Sequence, residues 1–521
     1  MITHVRIENF RSLKDTGWIQ IKPVNILLGA NSSGKSSFLR SFPLFLQSVT
    51  KDLRGPISWF DDSLVDFGDY KTSKNRYAAD DEFIKFSYKI HGPYSVYSYY
   101  SLYDLGLSYM EYLQNEDEIE LSIFYACDKE GTYVNKIEIL WDENKYVLQI
   151  SSRKDQVQAI FNNEMSFFSD WYWDQSTNRG MFPRSYIMPS NGKHILFDVH
   201  MFNATISTLK GYCSKRLKKE NRLKKVIFKC NGRKTEFLHY LQLECDISSL
   251  RKEAKSWDVN SKDFNVVYAT IMVWKLLPMI NILNQSLVDF YSRSSYIAPI
   301  RAEAFRSYRN QGLQINDIDA YGRNLNEFIS SLRGKKKNDY ELYCQNILKC
   351  KFFVFGEAAQ KSIFLANEDG SYNLTDVGFG YSQVLPIITK LWQCIYSMNN
   401  SKRNMYRYNY NIVKNLITIE QPELHLHPAM QASVADAIIE ANKKVEGQNK
   451  GKLRFIVETH SQALLNRIGR RIREGRISTD DVNIIMFNKD FGMKNTEVLQ
   501  LSFNDKGQLE KWPYGFFDPK D

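Results

Sequence analysis

The segment Val24-Asn25-Ile26-Leu27-Leu28-Gly29-Ala30-Asn31-Ser32-Ser33-Gly34-Lys35-Ser36-Ser37 constrains the fold of this chain more than any other. An apolar run leads into G-x-x-x-x-G-K-S, and Phe38-Leu39 carry apolar helical text onward. Gly29 and Gly34 permit turns that aim successive N–H groups inward, and a helix beginning near Lys35 adds the positive end of its dipole. A polyphosphate fits such a concavity. The loop therefore predicts nucleoside triphosphate binding by Asn31, Ser32, Ser33, Gly34, Lys35, Ser36 and Ser37. Lys35 would reach the β- and γ-phosphates as a point charge, and the Ser36 hydroxyl would occupy one position on Mg²⁺.

At 521 residues the chain is too long for a single core and suggests two or three domains. Its 43% hydrophobic and 14% aromatic content excludes wholesale disorder. No run approaches the roughly 18 apolar residues of a membrane span, and Met1-Ile2-Thr3-His4-Val5-Arg6 does not read as a secretory signal, so no membrane and a cytoplasmic location are expected. Seven cysteines without a C-x-x-C pair read as reduced thiols rather than a disulfide framework or zinc knuckle. The net charge of +10 is uneven: Lys210 to Lys234 holds eleven Lys/Arg against the single acid Glu220, while Glu111 to Glu120 is acidic. The basic stretch suits DNA or RNA phosphates, and equally suits a solvated helix face.

In chain order, His4–Phe10 and Trp18–Ile21 alternate as a hairpin across Asp15-Thr16-Gly17. Helical text from Phe38 to Gln47 contains Pro43, which predicts a kink or early break. Residues 52–290 change character: Tyr94–Tyr100 is tyrosine-rich, Val134–Ile150 alternates as strands, and Val266–Leu287 is apolar and helical. Motif-like text resumes at Ser295–Arg301. The Gly-punctuated loop Leu374–Gln383 opens onto Val384–Ile388, where Pro386 predicts a helix starting near Ser382 or Gln383, with its N–H groups and the Ser382 hydroxyl facing outward. Next, Leu416–Glu420 reads as a buried strand that brings Glu420 to its C-terminal edge, placed to hold Mg²⁺ directly or through water. A further strand, Leu453–Glu458, ends at Thr459-His460-Ser461, where His460 could touch a γ-phosphate or orient a water.

Taken together, these segments resemble the ABC-type ATPase heads of the structural-maintenance-of-chromosomes (SMC), RecF and overcoming-lysogenization-defect (OLD) families. The resemblance covers residues 1–50 and 290–521, and it extends to stand-alone antiphage-defence ATPases such as the Septu PtuA-like and retron-associated ones. The residues that carry it are Ile419-Glu420-Gln421-Pro422-Glu423-Leu424-His425-Leu426-His427-Pro428, Glu458-Thr459-His460-Ser461-Gln462-Ala463-Leu464-Leu465 and Trp512–Asp518. It implies an α/β fold, an ABC/SMC-type head with a mixed β-sheet and flanking helices, split into 1–51 and 291–521 by a large α+β insertion at 52–290. It also implies ATP and Mg²⁺ as cofactors, and a homodimer or higher homo-oligomer in which Gly378, Gly380, Ser382 and Gln383 cover the partner's nucleotide. Phe379 and Tyr381 depart from the usual two-glycine signature. Arg11 matches a position where such heads place a basic residue near the nucleotide, and a plain surface charge is the other reading.

Such heads commonly carry Asp-Glu where this chain has Glu420-Gln421. A glutamine can hold a water but cannot take its proton, and general-base help contributes about 10² to 10⁴ in rate. Either hydrolysis is slow and the ATP-bound assembly is the working state, or Glu423, Glu458 or His460 supplies the base. His425 and His427 lack partners for a metal site. Arg467, Arg470 and Arg471 share a helix face, with Arg473 beside them, that suits nucleic acid, an acidic partner or plain solvent. Relatives with nuclease activity carry an added acidic domain that is not evident here. The first expectation is an ATP-gated sensor or scaffold controlling a separate effector nuclease in antiphage defence; the alternative is a RecF-like DNA-binding repair ATPase.

Overall fold

Uninterrupted apolar runs, such as Val24–Gly29 and Leu416–Glu420, bury both faces of a strand and therefore belong at the centre of a sheet covered on both sides. The computed structural model describes residues 1–92, 118–150, 157–162, 165–167, 171–173, 181, 187–189, 197–214, 220–230, 232–309, 312–313, 315–357, 359–400, 414–446, 453–489 and 494–510. In it, these runs form a six-stranded sheet in the order Ser294–Ile297, Leu416–Glu420, Arg454–Glu458, Val24–Gly29, Val482–Asn488 and Glu497–Leu501. The first five strands are parallel and the last is antiparallel. Alternate side chains enter two different cores: Leu27 and Phe38 pack on one face, and Ile26, Leu28, Ile417 and Ile419 on the other.

The helix Lys35–Val49 crosses the first of these faces. It continues through Pro43 to Val49, so the expected early break does not occur. Helices Phe379–Asn400, Pro428–Glu446 and Gln462–Arg473 supply much of the second core.

A nine-stranded antiparallel sheet holds the other large core. Its order is Met165–Phe167, Val157–Phe161, Asn144–Ile150, Thr132–Trp141, Glu118–Cys127, Ile84–His91, Ile2–Phe10 and Leu13–Asp15, with Ile19–Gln20 also paired to Ile2–Phe10. Strands from both sides of the 51/52 boundary thus share one sheet, Ile7 standing opposite Phe86. The 31-residue helix Lys262–Ser292 is long and apolar enough to cross a membrane, but 81% of its most apolar window is buried inside the protein. It packs against Phe197–Gly211 and Lys35–Val49, as a core helix does. Tyr94–Tyr100, Trp512–Asp518 and parts of the basic and acidic stretches lie outside the described residues.

The helix expected from Ser382 or Gln383 begins instead at Phe379, which puts Pro386 in its interior. The proline ring packs against Gly322, where an added Cβ would meet Pro386 Cβ at 2.8 Å, so tertiary packing overrides the first-turn preference. The earlier start moves Ser382 into the second turn. There its hydroxyl donates to Phe379 O at 2.6 Å instead of facing outward, and Ser382 is buried.

Candidate functional site

Gly34 caps the helix Lys35–Val49 with φ 105°, and Gly29 ends its strand at φ 147°. A Cβ at Gly29 would stand 2.3 Å from Phe487 O, and one at Gly34 would stand 2.7 Å from Leu13 Cδ2. Only glycine meets both requirements. Between them Asn31 and Ser32 are exposed, Ser33 is buried, and the Ser33 carbonyl accepts from Thr496 Oγ1 at 2.7 Å. The loop lines a cleft of about 440 Å³ together with Ser36, Ser37 and Arg11. Arg11, Lys35, Lys74, Arg76, Lys489 and Lys494 give this cleft six cations, and no Asp or Glu lines it among the described residues. Arg11 also donates to Phe67 O at 3.3 Å and lies over the Phe67 ring. Tyr77, 41% exposed, adds an aromatic face with Arg76 stacked on it. Phosphates complement the charge, and a base can stack on the ring.

Behind the loop the strand ends converge. Lys35 is buried and donates to Gly29 O at 2.9 Å and Ala30 O at 2.8 Å. Burial lowers its pKa, while Glu458 and Glu423 pull it back up. Ser36 Oγ donates to Glu458 Oε1 at 2.8 Å. Glu458 is the register partner of Glu420 on the adjacent strand. Glu420 is fully engaged: Arg40 donates from Nε at 2.8 Å and from Nη2 at 2.6 Å, and Tyr296 Oη donates at 2.7 Å. Gln421, at φ 43°, donates its N–H to Glu458 O at 2.9 Å and accepts on its carbonyl from Arg301 Nη2 at 3.3 Å. Glu423 accepts from Thr459 Oγ1 at 2.8 Å and from the His460 N–H at 2.6 Å. Burial first, then Lys35, lowers the pKa of His460, and its Nε2 is buried without a hydrogen-bond partner.

Lys35, Ser36, Glu420, Gln421, Glu458 and His460, which lie hundreds of residues apart in the chain, are thus brought to one sheet edge. Gly380, Ser382 and Gln383 do not line the cleft of their own chain. Gly380 sits against His425, Phe379 meets the His425 ring edge-on at 5.0 Å, and Gln383 donates to Arg301 O at 3.3 Å. His425 and His427 join no group of three or more metal-ligating side chains among the described residues. The arginine face is largely neutralised: Arg467 and Arg471 both clasp Asp436, and Arg470 and Arg471 pair with Glu474. Sequence reasoning missed Arg40, Tyr296 and the Lys74–Tyr77 wall. Arg40, five residues after Lys35 on the loop's own helix, was the one findable signal.

Burial and the neighbouring Glu420 charge push the Glu458 carboxyl up to about 7, against the pull of Ser36, Lys35 and Arg40. A carboxyl that titrates higher folded than unfolded binds more protons in the folded state, so it costs stability as pH rises from its unfolded value, near 4.5, to about 7, and the cost is constant above that. In metal-free buffer the protein is expected to lose roughly 2–3 kcal/mol from this group between pH 5 and 8. Denaturant titrations across that range should show Glu458→Gln removing this part of the slope. An unchanged slope would mean that Glu458 does not titrate there.

Residues 1–465 match the family model of the AAA ATPase domain. A 43-residue stretch is 58% identical to the DNA replication and repair protein RecF of Nitrosococcus oceani. That match covers 8% of this chain and 12% of RecF, so the chain spans only about an eighth of that relative's length. Among solved structures, the Smc head domain of Pyrococcus furiosus with an extended coiled coil, bound to the C-terminal domain of ScpA, aligns over 96% of each chain at 12% identity and TM-score 0.36. The SMC head domain of Thermotoga maritima aligns over 96% of this chain and 98% of its own at 7% identity and TM-score 0.34.

Proposed function

Because the chain belongs to the AAA ATPase domain family, we propose that it binds Mg²⁺·ATP in the basic cleft at Gly29–Ser37, hydrolyses it slowly, and acts through its ATP-bound assembly. The observation that carries this reading is a cation-lined phosphate loop whose Ser36 meets the strand-end carboxylate Glu458, with Glu420 on the adjacent strand. In it, Lys35 exchanges the Gly29 and Ala30 carbonyls for phosphate oxygens, and Arg11, Lys74 and Arg76 neutralise the rest of the triphosphate. A divalent ion fits this donor set, since Glu458 Oε2 is buried with no hydrogen-bond partner beside the Ser36 hydroxyl. When bound, the ion neutralises phosphate charge.

Slow turnover follows from the residues beside the site. Gln421 offers no base, Glu423 is occupied by Thr459 and the His460 N–H, and His460 has a lowered pKa and an unpartnered Nε2, able to orient a water. Gln421 also spares the strand ends a third carboxylate beside Glu420 and Glu458. Wild-type turnover is expected to be slow, and Glu420→Gln and His460→Ala to reduce it further. Gln421→Glu is expected to raise it less than the usual gain of about 10² from adding a base. Brisk wild-type turnover abolished by His460→Ala would reverse this reading and make His460 the base.

A second copy would cover the nucleotide with the end of the helix Phe379–Asn400, where Gly378 and Phe379 are exposed and Gly380, Ser382 and Gln383 stand behind them. Light scattering with and without ATP tests this, and an unchanged mass would count against it. Within this reading the chain is a sensor or scaffold of the antiphage-defence kind that controls a separate nuclease. The RecF match favours a second reading, a DNA-binding repair ATPase. DNA that stimulates turnover of the isolated protein would select the second.

A further inference from the structure

Two carboxylates lie at neighbouring strand ends beside the phosphate loop, and they are not equivalent. Adjacent strands run ~4.8 Å apart, so register alone places Glu420 and Glu458 equally well to meet a cation. Their partners differ. Both oxygens of Glu420 are engaged, one with Arg40 Nη2 at 2.6 Å and the other with Arg40 Nε at 2.8 Å and Tyr296 Oη at 2.7 Å. A bidentate guanidinium neutralises that carboxylate and fixes its plane. Recruiting Glu420 to a metal would strand Arg40 and open a three-donor arrangement whose carboxylate is only 4% exposed.

Glu458 has the opposite environment. Its Oε1 accepts one hydrogen bond, from the Ser36 hydroxyl, and its Oε2 is buried with no hydrogen-bond partner. No salt bridge includes it among the described residues. A buried carboxylate with an unserved oxygen is costly unless a charge or donor meets it. The group it does touch is the phosphate-loop hydroxyl, the ordinary ligand of a nucleotide-bound divalent ion.

Resting on the reading of the phosphate loop as a Mg²⁺·ATP site, we propose that Glu458, not Glu420, is the carboxylate that meets the nucleotide's divalent cation alongside Ser36. Glu420 with Arg40 and Tyr296 is then a positioning cluster that holds the helix Lys35–Val49 against the strand ends. The assignment moves the metal-facing acid from the strand that ends at Gln421 to the one that leads into His460.

The test uses Mn²⁺ as the probe. Its free signal is followed by electron paramagnetic resonance in the presence of ATP, and a fluorescent ATP analogue measures nucleotide binding in EDTA. Glu458→Gln should weaken Mn²⁺ binding by about tenfold or more, the lower end of the range for loss of a metal-site partner, while leaving analogue binding in EDTA intact. Glu420→Gln should shift Mn²⁺ affinity by less than about threefold. Glu458→Asp keeps the carboxylate and should recover part of the loss, which guards against a folding defect in the glutamine variant. Wild-type-like Mn²⁺ binding by Glu458→Gln overturns the assignment. So does a Glu420→Gln loss as large as that of Glu458→Gln, or an aspartate variant that binds the analogue but holds Mn²⁺ no better than glutamine. If wild-type protein binds neither Mn²⁺·ATP nor the analogue, the ATP-site reading itself fails, and the assignment falls with it.

Discussion

Replacing Arg40 by alanine is expected to lower the unfolding free energy by about 2–3 kcal/mol, somewhat less than breaking a fully buried ion pair, because Arg40 itself keeps part of its surface in water. The loss comes from what remains. Glu420 would keep only the Tyr296 hydroxyl, buried beside a second carboxylate on the neighbouring strand. Neutralising that remnant should repair most of the damage, so Arg40→Ala/Glu420→Gln is expected to be more stable than Arg40→Ala alone. A double-mutant cycle by denaturant titration measures the coupling. A single-variant cost below about 0.5 kcal/mol would class Arg40 as an ordinary surface charge.

Lys35→Met should have the largest effect on ligand binding. The ammonium lies inside the phosphate loop, bonded to the Gly29 and Ala30 carbonyls, in a cleft whose other charged lining residues, among those described, are all basic. Methionine fills a similar volume and removes the one cation that the loop itself carries. ATP affinity is expected to fall by about 100-fold, close to 3 kcal/mol, measured by calorimetry on protein whose melting temperature is unchanged. Retention of affinity within about threefold would show that the peripheral cations Arg11, Lys74 and Arg76 hold the triphosphate without Lys35.

What could be read from the chain alone was whatever is written contiguously. The phosphate loop, with its strand and helix, fits in about two dozen residues, and the apolar runs before Glu420 and Glu458 announce central strands through their missing polar alternation. The Arg40–Glu420 clasp spans 380 residues, and no local pattern signals it. The pairing of Ile2–Phe10 with Ile84–His91 is hidden for the same reason. Each strand alternates as any half-buried strand would, and only the shared core says which strands are neighbours. Pro386 misled because its first-turn preference is a local rule, and the contact with Gly322, 64 residues upstream, outweighs it. The basic helix misled on charge because Asp436 and Glu474, which neutralise it, come from another helix and from the residue just past its own end.

Arg301 is 2% exposed and has no salt bridge among the described residues; its guanidinium donates to the Ala298 and Gln421 carbonyls, and its own carbonyl accepts from Gln383. One residue is therefore spliced at one end to the helix Phe379–Asn400 and at the other to the loop just past Glu420. A dehydrated cation supported by so few acceptors tolerates little slack, so the two elements travel as a coupled linkage. Tension applied at the exposed Phe379 would reach the Gln421 peptide, whose N–H bonds the Glu458 carbonyl, through that single arginine.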